Sequence, residues 1–435
     1  MFKKLQDMFS IPELKRRLLF TMGLLIVYRI GSHITTPGVN PVALKQFFQS
    51  QAGTIFGLYD LFSGGALHRA TIFALGIMPY ISASIILQLL QAVIPYFEKL
   101  AKEGEEGRKK ITQYTRYGTV ALAAVQAIGI AFFLENNPGG VPVVSDPGLF
   151  FRLLTIITMT AGTIFVMWLG EQITERGIGN GISLIITVGI IARYPGEFMQ
   201  TWRAIKLGNL TPLRLVLLLV VMVLVIASVI LITQGQRRIP VQYAKRIVGR
   251  RVYGGKAQYI PLRVNTAGVI PIIFAQSIMM FPSTIAAFFK ENEFMASIMS
   301  VLNPYGWVYN SLYAIIIIFF TYFYTAIVLN PVDLAENMQK YGGFIPGIRP
   351  GKRTSDYIDR ILTRVTLPGA IFLAFIAILP EILISKGGLP FYFGGTGLLI
   401  VVGVMLDTLQ QIETHLLMRH YEGFMKKGHM KGRRF

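Results

Sequence analysis

Ten separate stretches of about twenty mostly apolar residues constrain this chain more than any motif in it. They lie near residues 18–36, 71–94, 117–135, 150–170, 181–200, 213–233, 267–289, 311–330, 366–385 and 396–417. The hydrocarbon core of a bilayer is about 30 Å thick, and a helix crosses it in about 20 residues. Within lipid each backbone amide must be satisfied inside its own segment, so every stretch reads as a spanning helix. Composition agrees: 53% of the residues are hydrophobic and 15% charged, against roughly 25% charged in soluble domains. The fifth stretch is the weakest, clean only from Ile182 to Ala192. Arg193, just beyond it, is expected to snorkel to the interface.

Ten is even, which puts both termini on one side, and lysine and arginine choose the side. The terminal segments and the loops 95–116, 171–180, 234–265 and 331–365 hold 32 of the 42 basic residues. The opposite set holds eight, and Arg29 and Arg152 lie within spans. The positive-inside rule therefore places both termini in the cytoplasm, with nearly all of the net charge of +20 on that face. Part of that charge suits anionic lipid. The loops 234–265 and 331–365 are longer than helix connections require and suggest a large docked partner, one rich in phosphate included. The first reads as a hairpin of Ile239–Tyr243 with Gln258–Leu262 and Gly254-Gly255 near its turn. Its prolines make edge strands of it at best. Charges interrupt the first twenty residues, which read as an interfacial helix and not a cleavable leader.

Catalytic chemistry finds little support. The chain has no cysteine and five histidines, none paired at metal-ligand spacing, so no cofactor or metal is expected. Tyr59-Asp60 lacks the second carboxylate of a membrane aspartyl protease, because Gly177-Ile178-Gly179-Asn180 stands where GxGD would. Gly177, Gly179 and Gly181 are too evenly spaced for a dinucleotide fingerprint. Acidic residues are nearly absent from span centres, unlike an ion-coupled transporter. The polar groups there, Gln88, Gln126, Gln276, Ser82 and Ser277, suit interhelical hydrogen bonds. Residues 61–69 (LFSGGALHR) either line a protein-enclosed cavity or form an external loop. Five spans precede residue 205 and five follow, the count of two halves with inverted topology.

Four strings then carry a resemblance. Leu61 to Ser84, Ile173 to Ser183, Gly342 to Gly351 and Tyr392 to Thr396 are similar, in order, to hallmarks of the SecY/Sec61-alpha family of protein-conducting channels. The likeness runs through the tail Tyr421–Lys427. It implies an all-α integral membrane protein of about ten spans in two inverted five-helix halves, 1–205 and 206–435, around a central pore. A pore ring of Ile77, Ile81, Ile186, Ile190, Ile273 and Ile400 is implied. So is a short re-entrant plug helix near 57–70, including Phe62, Ser63, Gly64, Gly65, Leu67 and Arg69. A lateral gate would involve Ser82, Gln126, Ser277 and Phe281, and Arg250, Arg251 and Arg349 would dock a ribosome or the SecA motor. SecE and SecG would be membrane partners, and polypeptides bearing signal sequences the substrate, at the cytoplasmic membrane. A neutral aliphatic ring suits such a pore, since it blocks ions by dewetting and yields to a chain of any sequence. The competing expectation is a secondary transporter of a small solute, which leaves the long basic loops unexplained; a scaffold without a pore leaves residues 61–69 unexplained.

Overall fold

The computed structural model describes residues 11–40, 43–44, 60, 63–135, 143–208, 211–243, 246–248, 251–253, 258–288, 306–387 and 395–427. The elements in chain order are α1 (Pro12–Gly31), α2 (Met78–Val93), α3 (Pro95–Lys102), α4 (Glu105–Glu135), α5 (Leu149–Arg176), α6 (Gly181–Ile191), α7 (Tyr194–Lys206) and α8 (Pro212–Gln234). Strands β1 (Gln236–Tyr243), β2 (Arg246–Val248), β3 (Arg251–Tyr253) and β4 (Gln258–Arg263) follow. Then come α9 (Ile270–Phe288), α10 (Trp307–Val328), α11 (Pro331–Lys340), β5 (Gly343–Phe344), α12 (Lys352–Gly387) and α13 (Gly395–Lys427).

Each of the ten apolar stretches falls on a helix. Among the described residues seven helical segments are long and apolar enough to cross a membrane, or eight if α2 and α3 count as one bent span. The second stretch departs from expectation at its start. Its helix starts at Met78, not near 71, because Gly76 takes φ +56° and breaks any helix that would run through it. Pro79 then sits in the first turn, where its missing N–H costs nothing. At Ile94 and Pro95 the chain bends by 99° into α3.

The chain divides into two compact units, Met1–Phe198 with Ser283–Met295 and Val404–Phe435, and Met199–Pro282 with Ala296–Gly403. In the first unit α4 and α5 form an antiparallel pair stapled at both ends. Arg152 Nε donates to Glu135 at 2.7 Å while its guanidinium lies 4.3 Å from the Phe132 ring centre. At the other end Arg116 grips Glu171 with two bonds of 2.9 and 2.7 Å. Fork-to-carboxylate pairs of this kind fix orientation as well as energy.

In the second unit the two long loops share one sheet of order β4-β1-β5. Ile239 pairs with Ile260 and Pro240 with Tyr259. β4, with Pro261, is an edge as expected, whereas β1 is the central strand, contrary to the expectation from Pro240. Pro240 is tolerated because β5 is two residues long and pairs only with Gln242 and Tyr243, leaving the far side of Pro240 without a ladder to serve. A second antiparallel pair, β2 with β3, is inserted beyond β1; Gly254-Gly255 lies outside the described residues. Ile239, Val241 and Leu262 of the sheet pack with Met338 of α11, Ile345, and Ile358 and Leu362 of α12 in one hydrophobic core.

Candidate functional site

Residues 63–77, just before α2, lie in a cradle built by α1, α5 and α6. From Ser63 to Ile77 the backbone runs in successive turns, so the plug expected as a short helix is not helical over these residues. Gly64 (φ +65°), Gly65 (+82°), Ala70 (+43°) and Gly76 (+56°) all take left-handed conformations that a right-handed helix excludes. Local bonds replace the helix: Gly65 N–H donates to the Asp60 carbonyl at 2.9 Å, and Ser63 Oγ accepts from Leu67 N–H at 3.3 Å.

Each wall of the cradle contributes something different. From α1, Tyr28 donates its hydroxyl to the Ser63 carbonyl at 3.4 Å, and Arg29 donates to the Gly64 carbonyl at 3.2 Å. Just past α1, Ile34 and Thr36 bond the backbone of Ile72 and Ala70. The Phe73 ring stacks between Tyr28 and Phe165 of α5, 6.0 Å from each, in space left open by Gly31. On α6 the contact is glycine to glycine, and a Cβ on Gly64 would stand 2.7 Å from Gly189 Cα. Gly189 lies between Ile186 and Ile190 in sequence, so the segment's backbone meets α6 beside two of the expected ring positions.

Asp60 anchors the start of the segment. Its carboxylate accepts from the His68 N–H at 3.0 Å and faces His68 Nδ1 at 3.0 and 3.2 Å, and Arg193 lies 3.8 Å away. Burial alone pushes this carboxyl up, but the His68 hydrogen bond and the His68 and Arg193 charges outweigh it and hold it below the usual carboxylate range. Arg193 therefore faces acidic partners rather than simply snorkelling to the interface.

The remaining expected residues fall as follows. Ile77 and Ile81 stand one turn apart at the start of α2, Ile186 and Ile190 one turn apart on α6, Ile273 on α9 and Ile400 on α13; all six are buried. Ser82 on α2 and Gln126 on α4 are half-buried, and Ser277 is buried with its hydroxyl donating to the Ile273 carbonyl at 2.9 Å. Phe281 belongs to α9, though its side chain lies outside the described residues, as do Phe62 and Arg250 altogether. Leu67 is buried, and half-buried Arg69 donates to His68 Nε2 at 3.3 Å. Arg251 pairs through its backbone with Val248. Arg349 is exposed, its carbonyl capped by the Thr354 hydroxyl at 2.9 Å.

The three evenly spaced glycines have a packing role. A Cβ on Gly181 would run into the Gly170 carbonyl and one on Gly177 into Thr21 Oγ1. The loop between them is held from α1 by Thr21, which accepts from Ile178 N–H at 3.1 Å, and from α13 by Gln411, which accepts from Gly179 N–H at 2.9 Å. Asn180 then caps α6. No phosphate cradle is left over, because these amides already have partners.

Sequence reasoning did not foresee Tyr28, Arg29, Gly189 and Arg193 as cradle residues. Arg29 and Arg193 carried a signal, as charges in apolar surroundings; Gly189 carried none.

This helical fold is shared with solved protein-conducting channels. The solved structure described as "The structure of a protein conducting channel" matches with a TM-score of 0.63, 18% identity, and coverage of 96% of this chain and 95% of that one. Sec61 in the canine ribosome–channel complex matches with a TM-score of 0.60 at 18% identity, over 96% and 95%. Residues 71–409 match the SecY family model. The protein translocase subunit SecY of Aquifex aeolicus is 48% identical over 98% of this chain and 100% of its own length. That of Escherichia coli (strain K12) is 51% identical over 97% and 96%. The chain belongs to the SecY family and is a multi-pass membrane protein.

Proposed function

We infer that this chain is the channel-forming subunit of a protein translocase, conducting unfolded secretory polypeptides across the membrane and releasing apolar segments sideways into lipid. The observation that carries the reading is identity near 50% to translocase subunits over almost the whole chain. The ten spans sit in the cytoplasmic membrane with both termini on the cytoplasmic side, a placement that the distribution of lysine and arginine supports. Residues 1–205 and 206–435 are the two halves around the pore. Ile77, Ile81, Ile186, Ile190, Ile273 and Ile400 form its aliphatic ring, and the segment near 57–70 is its plug. Ser82, Gln126, Ser277 and Phe281 line the sideways exit. Arg250, Arg251 and Arg349 dock a SecA-type motor or a ribosome, SecE and SecG are the companion subunits, and anionic lipid meets the basic face. The channel itself has no catalytic step; the docked partner supplies the work. No observation favours a small-solute transporter.

The test is reconstitution of the purified complex in liposomes. Motor- and nucleotide-dependent protection of a secretory precursor from added protease is expected. Accumulation of a small solute down an ion gradient, with no precursor protected, would overturn the reading.

A further inference from the structure

Three charged side chains that sit badly with an apolar setting converge on the cradled segment. Asp60 is nearly dry, its side chain 9% exposed, and lies 3.8 Å from Arg193 at the end of α6. Arg29 of α1 donates to the carbonyl of Gly64, four residues further on. A flanking helix thus extends one cation to the segment's backbone, and the turn after another extends a second to its carboxylate. We propose that Asp60 and Arg193, aided by Arg29, form an ionic latch that holds this segment in its seat and sets how often the resting channel opens. The proposal rests on reading the segment as the plug.

Apolar packing is a weak fastener at this point. Ser63, Gly64, Gly65 and Ala66 present little side chain, and the contact with α6 is between two glycines; the apolar hold comes later in the segment, from Leu67 and Phe73. Polar bonds hold its first residues. Low local polarity strengthens them, since water screens an attraction far less around a nearly dry carboxylate. The latch is also releasable. Arg29 is half-buried and Arg193 27% exposed, so both cations have access to water once the segment leaves.

A competitor tunes it. Among the described residues Arg193 Nη1 is buried without a hydrogen-bond partner. Its guanidinium stands 3.8 Å from Asp60 and also 3.8 Å from Glu197 on the next turn. Two carboxylates divide one cation, which leaves the hold on Asp60 weaker than a close bidentate pair would be.

The test is single-channel recording of the purified complex in a planar bilayer without substrate, with protein yield and melting followed alongside. Asp60→Asn and Arg193→Gln are each expected to raise the frequency of spontaneous opening about fivefold, the scale of an ion pair held at 3.8 Å and shared between two carboxylates. The double variant should open no more often than either single, Arg193→Lys should stay near the parent, and Glu197→Gln should open less often than the parent. Parental opening in both single variants, or effects that multiply in the double, would overturn the latch. If Asp60→Asn does not accumulate, the Arg193 and Glu197 variants decide, because their opposite signs are not produced by general destabilisation. Deleting residues 61–69 separates the two ideas. A leaky deletion with silent single variants refutes the latch alone, whereas a deletion as tight as the parent refutes the plug.

Discussion

Replacing Gly64 with alanine should unseat the plug without unfolding the spans. Gly64 holds φ at +65°, and any L-residue there pays about 1–2 kcal/mol in left-handed strain. The added methyl would also stand 2.7 Å from Gly189 Cα, and that neighbour is helix backbone with no rotamer to swing away. Forced overpacking of this type costs about 1–3 kcal/mol. The combined penalty, about 2–5 kcal/mol, falls on the seated state, because a displaced segment has neither the contact nor the fixed φ. Even its lower end is roughly thirty-fold in the ratio of seated to unseated segment. Resting ion conductance of the purified complex in a planar bilayer reads this directly. Two further variants grade the effect. Gly189→Ala puts its methyl 3.2 Å from Gly64 Cα with no unusual φ, so a smaller leak is expected. Gly23→Ala in α1 meets nothing within 4 Å and should seal like the parent. A Gly64→Ala channel that seals as tightly as Gly23→Ala would refute the reasoning, and so would a lowered melting temperature with no leak.

Three other outcomes are expected. Ile400→Asn places an amide at a buried position; in a pore ring it meets water, so yield stays normal while conductance rises, and a tight, poorly folding variant (about 1–3 kcal/mol for an unsatisfied buried amide) would argue for ordinary core. A cysteine pair replacing Ser82 and Ser277, in a chain with no native cysteine, should crosslink at rest and block precursor transport until reduced; failure to crosslink would remove these helices from the gate. Arg349→Glu, on an exposed loop, should abolish motor-driven protection of precursor while melting is unchanged, and transport at the parental rate would free Arg349 of a docking role.

Hydropathy located the helices because burying backbone in lipid leaves a chain few choices. It misjudged the start of the second one, since residues 71–77 are as apolar as the helix that follows and hydropathy does not register a glycine at φ +56°. Pro240 of β1 was a fair warning of an edge, overridden because its neighbour β5 is too short to need the missing donor. The plug segment stood out through its small residues, yet a helix was expected where repeated positive φ makes turns. Arg29, Asp60 and Arg193 were visible as charges out of place. Their convergence was not, since Asp60 and Arg193 are brought together by folding across more than a hundred residues. The Gly64–Gly189 contact is equally silent, because close approach of two backbones needs only the absence of side chains, and absence has no pattern to read.

The shared core of the two long loops has a mechanical consequence. α12 is 36 residues long, about 54 Å at 1.5 Å per residue, and so outruns a bilayer's hydrocarbon core of about 30 Å. Ile358 and Leu362 lie in its first four turns and are locked to Ile239, Val241 and Leu262 of the sheet. Sheet and helix therefore behave as a crank and its shaft. A push on either loop is passed to α12 with little slack, because close-packed cores compress poorly. Whatever grips those loops can do work at membrane depth without touching anything inside the membrane.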